Sequence, residues 1–147
     1  MRFLHMENFA LLDSLKKKPF IADLPLCTVL MEDKEFPWIL LIPRRSNVVQ
    51  INQLTEEDQI QLVREINVSS NIMEKLFVTD RLNVAAIGNK TPQLHIHIIS
   101  RTQNDSLWPE TVWGQKMEIL QERNLIERRE KLINSFAQES IKFFQRD

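Results

Sequence analysis

At 147 residues, with 43% hydrophobic and 27% charged residues, the chain has the size of one globular domain and can bury a core without disulfide or metal. Its formal charge of −1 gives no basic footprint for nucleic acid, so an anionic ligand must be held by local geometry rather than a broad field. The lone cysteine, Cys27, excludes an internal disulfide and suits a reducing compartment.

The first 25 residues carry Glu7, Asp13, Lys16, Lys17 and Lys18 and no long apolar run, so a signal peptide is not expected. His5 is expected to play no part in catalysis. A short helix is predicted from about Phe9 to Leu15. Two strands follow, Cys27 to Met31 and Trp38 to Ile42, joined by the polar turn Glu32-Asp33-Lys34-Glu35, as in a hairpin. Cys27 sits in an apolar run and reads as a small core residue rather than a nucleophile. Pro43 stops the second strand because it has no N–H for a ladder. The longest apolar stretch, Phe36 to Pro43, is too short to cross a bilayer. The expectation is therefore a cytoplasmic protein without membrane or nucleic-acid partners.

Thr55 can cap a long helix with Asp58 in its first turn. Ile60, Leu62, Val63, Ile66, Ile72, Met73, Leu76 and Phe77 continue that helix as an apolar stripe to about Phe77. Leu82 to Ile87 reads as a buried strand, Gly88-Asn89 as a turn, and Gln93 to Ser100 as another strand. Met117 to Phe144 is charged and helical, with Leu125, Leu132, Ile133, Phe136 and Ile141 at helical spacing. Its cluster Glu127-Arg128-Arg129-Glu130-Lys131 reads as a solvated face. Strands grouped around one long helix give an α+β domain with a mainly antiparallel sheet.

Pro92-Gln93-Leu94-His95-Ile96-His97-Ile98-Ile99-Ser100-Arg101 is the stretch that carries chemistry. Alternation along a strand turns Leu94, Ile96 and Ile98 toward a core and sets Gln93, His95 and His97 on the other face, roughly 6.5 to 7 Å apart. Two of the three histidines of the chain stand in that row. From the residues alone three readings stay open. One is a solvent-facing strand whose polar residues happen to be imidazoles. A second is a metal site, for which His-x-His supplies two ligands and His5, Cys27 or a carboxylate would have to supply more. The third is nucleophilic catalysis by one imidazole beside another.

The stretch resembles the histidine-triad (HIT) family, whose motif His-φ-His-φ-His-φ-φ (φ apolar) lies on the last core strand, with Gln93 where the first histidine usually stands. Trp38 to Arg45 is similar to the family's strand ending in Ile/Val-Pro-Lys/Arg, and Leu54-Thr55-Glu56-Glu57 to the start of its long helix. Asn83 and Gly88 precede the motif at the family's spacing. Trp108 to Gly114 resembles the tail of a bacterial subgroup that also carries Gln-Leu-His-φ-His.

The resemblance implies a HIT-like five-stranded sheet with one long helix, spanning residues 1–114. An added amphipathic helix over 115–147 would pack on the same domain or a dimer partner. It further implies a hydrolase of dinucleoside polyphosphates or nucleoside phosphoramidates, with His95 as nucleophile forming a nucleotidyl-histidine. His97 would contact the phosphate or leaving group. Catalytic residues would be Gln93, His95 and His97. The nucleotide would be held by Glu32, Asn83, Gly88, Asn89, Lys90 and Arg101, with no metal, no required cofactor, and a homodimeric state. Gln93 cannot carry a proton at neutral pH, so the alternative is a nucleotide-binding module with little turnover. Trp108 and Trp113 would border the pocket or a subunit interface.

Overall fold

The computed structural model describes residues 9–144, with side chains of the last helix described to Glu139; His5 lies outside them. Five strands form one antiparallel sheet in the order β1-β2-β3-β5-β4. They are β1 (Phe20–Asp23), β2 (Cys27–Met31), β3 (Trp38–Pro43), β4 (Arg81–Ala85) and β5 (Ile96–Arg101). Three α-helices accompany them: α1 (Asp13–Lys16), α2 (Glu56–Leu76) and α3 (Glu122–Phe144). The α+β class and the hairpin between β2 and β3 agree with the sequence.

Several bounds differ from expectation. The first helix is a single turn beginning at Asp13, and Phe9 to Leu12 precede it without helical structure, Leu12 being extended. Leu11 and Phe9 pack on the sheet instead of forming a helical stripe. Strand β1 was not foreseen, because Phe20-Ile21-Ala22-Asp23 has only one buried residue, Ile21, to signal it. The fourth strand ends at Ala85, two residues early. The fifth begins at Ile96, so Gln93, Leu94 and His95 precede it, although Leu94 N–H still bonds the Val48 carbonyl at 2.9 Å. The last helix starts at Glu122, since Lys34 and Ile119 form an isolated antiparallel bridge that holds the preceding segment extended.

Each face of the sheet has its own core. Val29, Met31, Ile39, Leu41, Ile96 and Ile98 lie under α2 and α3, which contribute Leu62, Ile72, Met73, Leu132 and Phe136. Leu30, Trp38, Leu40, Ile42 and Ile99 form the opposite face, covered by Leu15 and by Val112, Trp113 and Met117. This second face carries His97, because register places Leu40 opposite it.

Thr55 caps α2, its hydroxyl accepting from Asp58 N–H at 3.2 Å. The Asp58 carboxylate instead takes two bonds from Arg45, at 2.7 and 3.0 Å. Helix α2 is also pinned to β2 by Glu65, which is fully buried and accepts from the N–H groups of Leu26 and Cys27 at 2.9 and 2.8 Å. Burial raises the Glu65 carboxyl, and its hydrogen bonds from Gln61, Cys27 and Leu26 work against that rise. Cys27 is buried, its thiol pushed well up by desolvation and by the neighbouring Glu65 charge.

Candidate active site

His95 stands just before β5 and His97 within it, with ring centroids 4.9 Å apart; each is only 7% exposed. Their hydrogen bonds differ in kind. A carbonyl oxygen only accepts, so the 2.6 Å contact between His95 Nδ1 and the Gln93 carbonyl places the proton on Nδ1. In the neutral ring, Nε2 is then left with an available lone pair. His97 has the reverse pattern: Trp38 Nε1–H donates to its Nδ1 at 3.1 Å, and its Nε2–H donates to the Ile87 carbonyl at 3.0 Å. Both nitrogens of His97 are engaged by protein.

Burial pulls the His97 pKa from 6.5 down to about 4; the Ile87 carbonyl opposes this, and the charges of His95 and Lys18 assist it. His97 is therefore neutral across the physiological range. Trp38 and Trp113 wall it in, with centroids 5.5 and 5.4 Å away, Trp113 edge-on. Gly88 lets the loop after β4 lie against His95. A Cβ there would come within 3.3 Å of His95 Cε1 and 3.0 Å of the Thr91 carbonyl.

The remaining predicted residues fall into separate groups. Gln93 lends its backbone carbonyl to His95, but its side-chain amide turns to the N-terminal segment, donating to the Ala10 carbonyl at 2.9 Å and accepting from Leu12 N–H at 3.0 Å. Its side chain thus does not continue the row of His95 and His97, because Gln93 precedes the regular strand. Asn89 and Lys90 are exposed on the loop beside Gly88. Glu32 is buried at the hairpin and pairs with Lys18 at 2.6 Å. Arg101 is on the same face as His97 but is 2% exposed, its guanidinium donating to both Asp105 carboxylate oxygens at 2.7 and 3.0 Å and to Asn83 Oδ1 at 3.1 Å. Phe36 and Trp108 flank its guanidinium at 5.2 and 6.0 Å. Among the described residues no group of three or more His, Cys, Asp or Glu is placed to hold a metal ion.

Sequence reasoning missed Trp38, Lys18 and the two carbonyls that set the imidazole tautomers. Trp38 read simply as a strand residue, and its link to His97 needed the register between β3 and β5. Backbone carbonyls leave no mark in sequence at all.

A five-stranded antiparallel sheet crossed by one long helix, with paired histidines at the last core strand, defines the HIT class. The HIT domain family model matches residues 15–104, and the chain belongs to that family, whose members in general bind nucleotides and act as hydrolases or transferases. It is similar to a histidine triad protein of Bradyrhizobium japonicum, at 38% identity and TM-score 0.82, covering 86% of this chain and 97% of that one. A histidine triad protein of Marinobacter aquaeolei shares 37% identity, TM-score 0.82, and 88% and 97% coverage. One of Sinorhizobium meliloti shares 30%, with TM-score 0.82 and 88% and 98% coverage. No curated protein matches the chain in sequence. Among the described residues no helix is long and apolar enough to cross a membrane.

Proposed function

We propose that the chain is a nucleotide-phosphate hydrolase of the dinucleoside polyphosphate or nucleoside phosphoramidate type, with His95 as nucleophile. The observation that carries this reading is the 2.6 Å bond from His95 Nδ1–H to the Gln93 carbonyl, which makes Nε2 the ring nitrogen that holds the lone pair in the neutral imidazole. In the first step Nε2 attacks the α-phosphorus, and the P–O or P–N bond to the leaving group breaks with its electron pair, a leaving amine taking a proton from solvent water as it departs. The positive charge that develops on the ring is eased by the carbonyl at Nδ1. In the second step water attacks the phosphorus and gives up a proton to solvent, the N–P electron pair returns to Nε2, and the nucleoside monophosphate leaves with the ring neutral again. His97, neutral and held at both nitrogens, acts as a wall and a fixed dipole beside the reacting phosphate. The loop of Gly88, Asn89 and Lys90 lies against His95 and is the proposed phosphate cradle. Glu32, beside Lys18, is the proposed ribose contact. Arg101 donates to Asn83 and to Asp105, so neither Asn83 nor Arg101 is assigned a nucleotide contact in this reading. No metal or cofactor enters this scheme.

The test is turnover of diadenosine polyphosphates and adenosine phosphoramidate by the wild type and by His95→Ala. Wild-type release of nucleotide with at least a hundredfold loss in the variant, and an acid-labile nucleotidyl-protein in the wild type alone, is expected. No release from either substrate, or equal release by the variant, overturns the reading.

One observation favours the second reading, a nucleotide-binding module with little turnover. The Gln93 amide is committed to Ala10 and Leu12, so only two side chains of the motif stand at the site. A thermal shift with AMP and ATP in a protein that turns over neither substrate selects this reading.

A further inference from the structure

A separate cavity opens on the helix-covered side of the sheet, where the end of β5, the end of α2 and the start of α3 meet. It has a volume of about 430 Å³ and is lined by Ser100, Arg128, Glu35, Phe77 and Val78 among others. Strand parity separates it from the histidines: Ser100 shares the face of Ile96 and Ile98, whereas His97 shares that of Ile99.

Its polar lining is unusual in two ways. Ser100 is 2% exposed, yet its Oγ has no hydrogen-bond partner, an arrangement that costs stability unless something else satisfies the hydroxyl. The Arg128 guanidinium rests on backbone: Nη1 donates to the carbonyls of Lys34 and Phe36 at 2.8 and 3.0 Å, and Nη2 to that of Glu35 at 3.0 Å. These bonds use three of its five N–H groups, leaving one on Nε and one on Nη2. Two N–H groups on neighbouring guanidinium nitrogens match a carboxylate. Glu35 supplies the opposite charge, its carboxylate accepting from Ser106 at 3.0 Å, and among the described residues no ion pair joins it to Arg128. The other acid at the cavity, Asp105, is already taken by Arg101 and by the N–H groups of Thr102, Leu107 and Trp108. A carboxylate and a guanidinium that share no ion pair thus line the same cavity beside the apolar residues at the end of α2, Leu76, Phe77 and Val78.

We propose that this cavity is a second ligand site, for an apolar α-amino acid or a close zwitterionic analogue. The carboxylate lies on Arg128 and Ser100, the ammonium on Glu35, and the apolar side chain on Phe77 and Val78. The inference is independent of nucleotide turnover.

The experiment is an amide NMR titration of the whole protein with L-phenylalanine, phenethylamine and 3-phenylpropionate. L-phenylalanine is expected to shift Val78, Ser100 and Ser106 saturably in the millimolar range or below, with each singly charged analogue at least tenfold weaker. Val78→Trp, at a position 84% exposed, fills the mouth and abolishes the shifts without disturbing the core. Glu35→Gln narrows the gap between L-phenylalanine and 3-phenylpropionate to less than threefold, and His95→Ala leaves the titration unchanged. The proposal is overturned by absence of saturable shifts, by equal binding of all three probes, or by shifts confined to the Gly88 loop and Lys18 on the histidine face.

Discussion

Replacing His97 by a side chain that cannot titrate tests the electrostatics of the site directly. Burial holds the folded-state pKa of His97 at about 4, against 6.5 in the unfolded chain. Between those values the unfolded state binds one proton more, so stability rises with pH there and falls as acid is added. The contribution of His97 is fully present above pH 6.5 and is lost as pH falls toward 4. Integrating the two titrations gives a loss of about 1.3 kcal/mol by pH 5.5 and about 2.5 kcal/mol by pH 4.5, relative to pH 7.5. His97→Asn and His97→Gln each break one of the bonds to Trp38 and Ile87, and so cost about 1 to 2 kcal/mol at every pH. Their acid slope, however, should be shallower than the wild type by the amounts above. Urea unfolding at pH 7.5, 5.5 and 4.5 for all three proteins measures this. If both variants keep the full wild-type slope, His97 is not the buried neutral group described here, and its proposed role as a fixed dipole goes with it.

Asp105→Asn removes the charge that meets buried Arg101 and should destabilise the protein by about 3 kcal/mol, read as a lowered urea midpoint with unchanged m. Burial alone would raise the Asp105 carboxyl, but bonds from Arg101, Leu107 and Thr102 and the Arg101 charge outweigh it. The stability it gives is thus present above the ordinary carboxylate pKa and lost only as pH falls through the lower folded value, so the Asn variant should show a weaker fall in stability in strong acid. Gln93→His cannot reproduce both amide bonds to Ala10 and Leu12; it should lower stability by about 1 kcal/mol and fail to raise kcat. A several-fold gain in kcat would show instead that a missing imidazole limits turnover. Gly88→Ala should push the loop off His95 and reduce kcat about tenfold while moving Tm little. Unchanged turnover would remove the loop from the site.

What the sequence revealed follows the range of the interactions involved. Strands β2 and β3 were readable because their apolar runs are local, and the Thr55 cap because both partners lie within one turn. The histidine pair was readable because two imidazoles two residues apart near a strand share a face. Gln93 was placed in that row by extending the strand period three residues too far. The partners that decide its behaviour, Ala10 and Leu12, are more than 80 positions away. Arg101 looked like a phosphate ligand by parity, and only Asp105, four residues on across a turn, reveals that its charge is already met. Glu65 falls within the predicted long helix, where nothing local announces that its carboxylate will accept from the N–H groups of Leu26 and Cys27.

The structure also changes how a triad with one member replaced should be understood. Of the four side-chain nitrogens on the two imidazoles, three have protein partners, and those partners fix which proton sits where. Only His95 Nε2 lacks one among these bonds. Tautomer control comes from two backbone carbonyls and one indole, groups that substitution of Gln93 leaves in place. A glutamine at this position can therefore coexist with a competent nucleophile, provided that its carbonyl keeps its position. That carbonyl is braced by the amide's hold on the segment at Ala10 and Leu12. In the proposed mechanism the replaced side chain then supports the reaction by fixing its own backbone, with no proton passing through it.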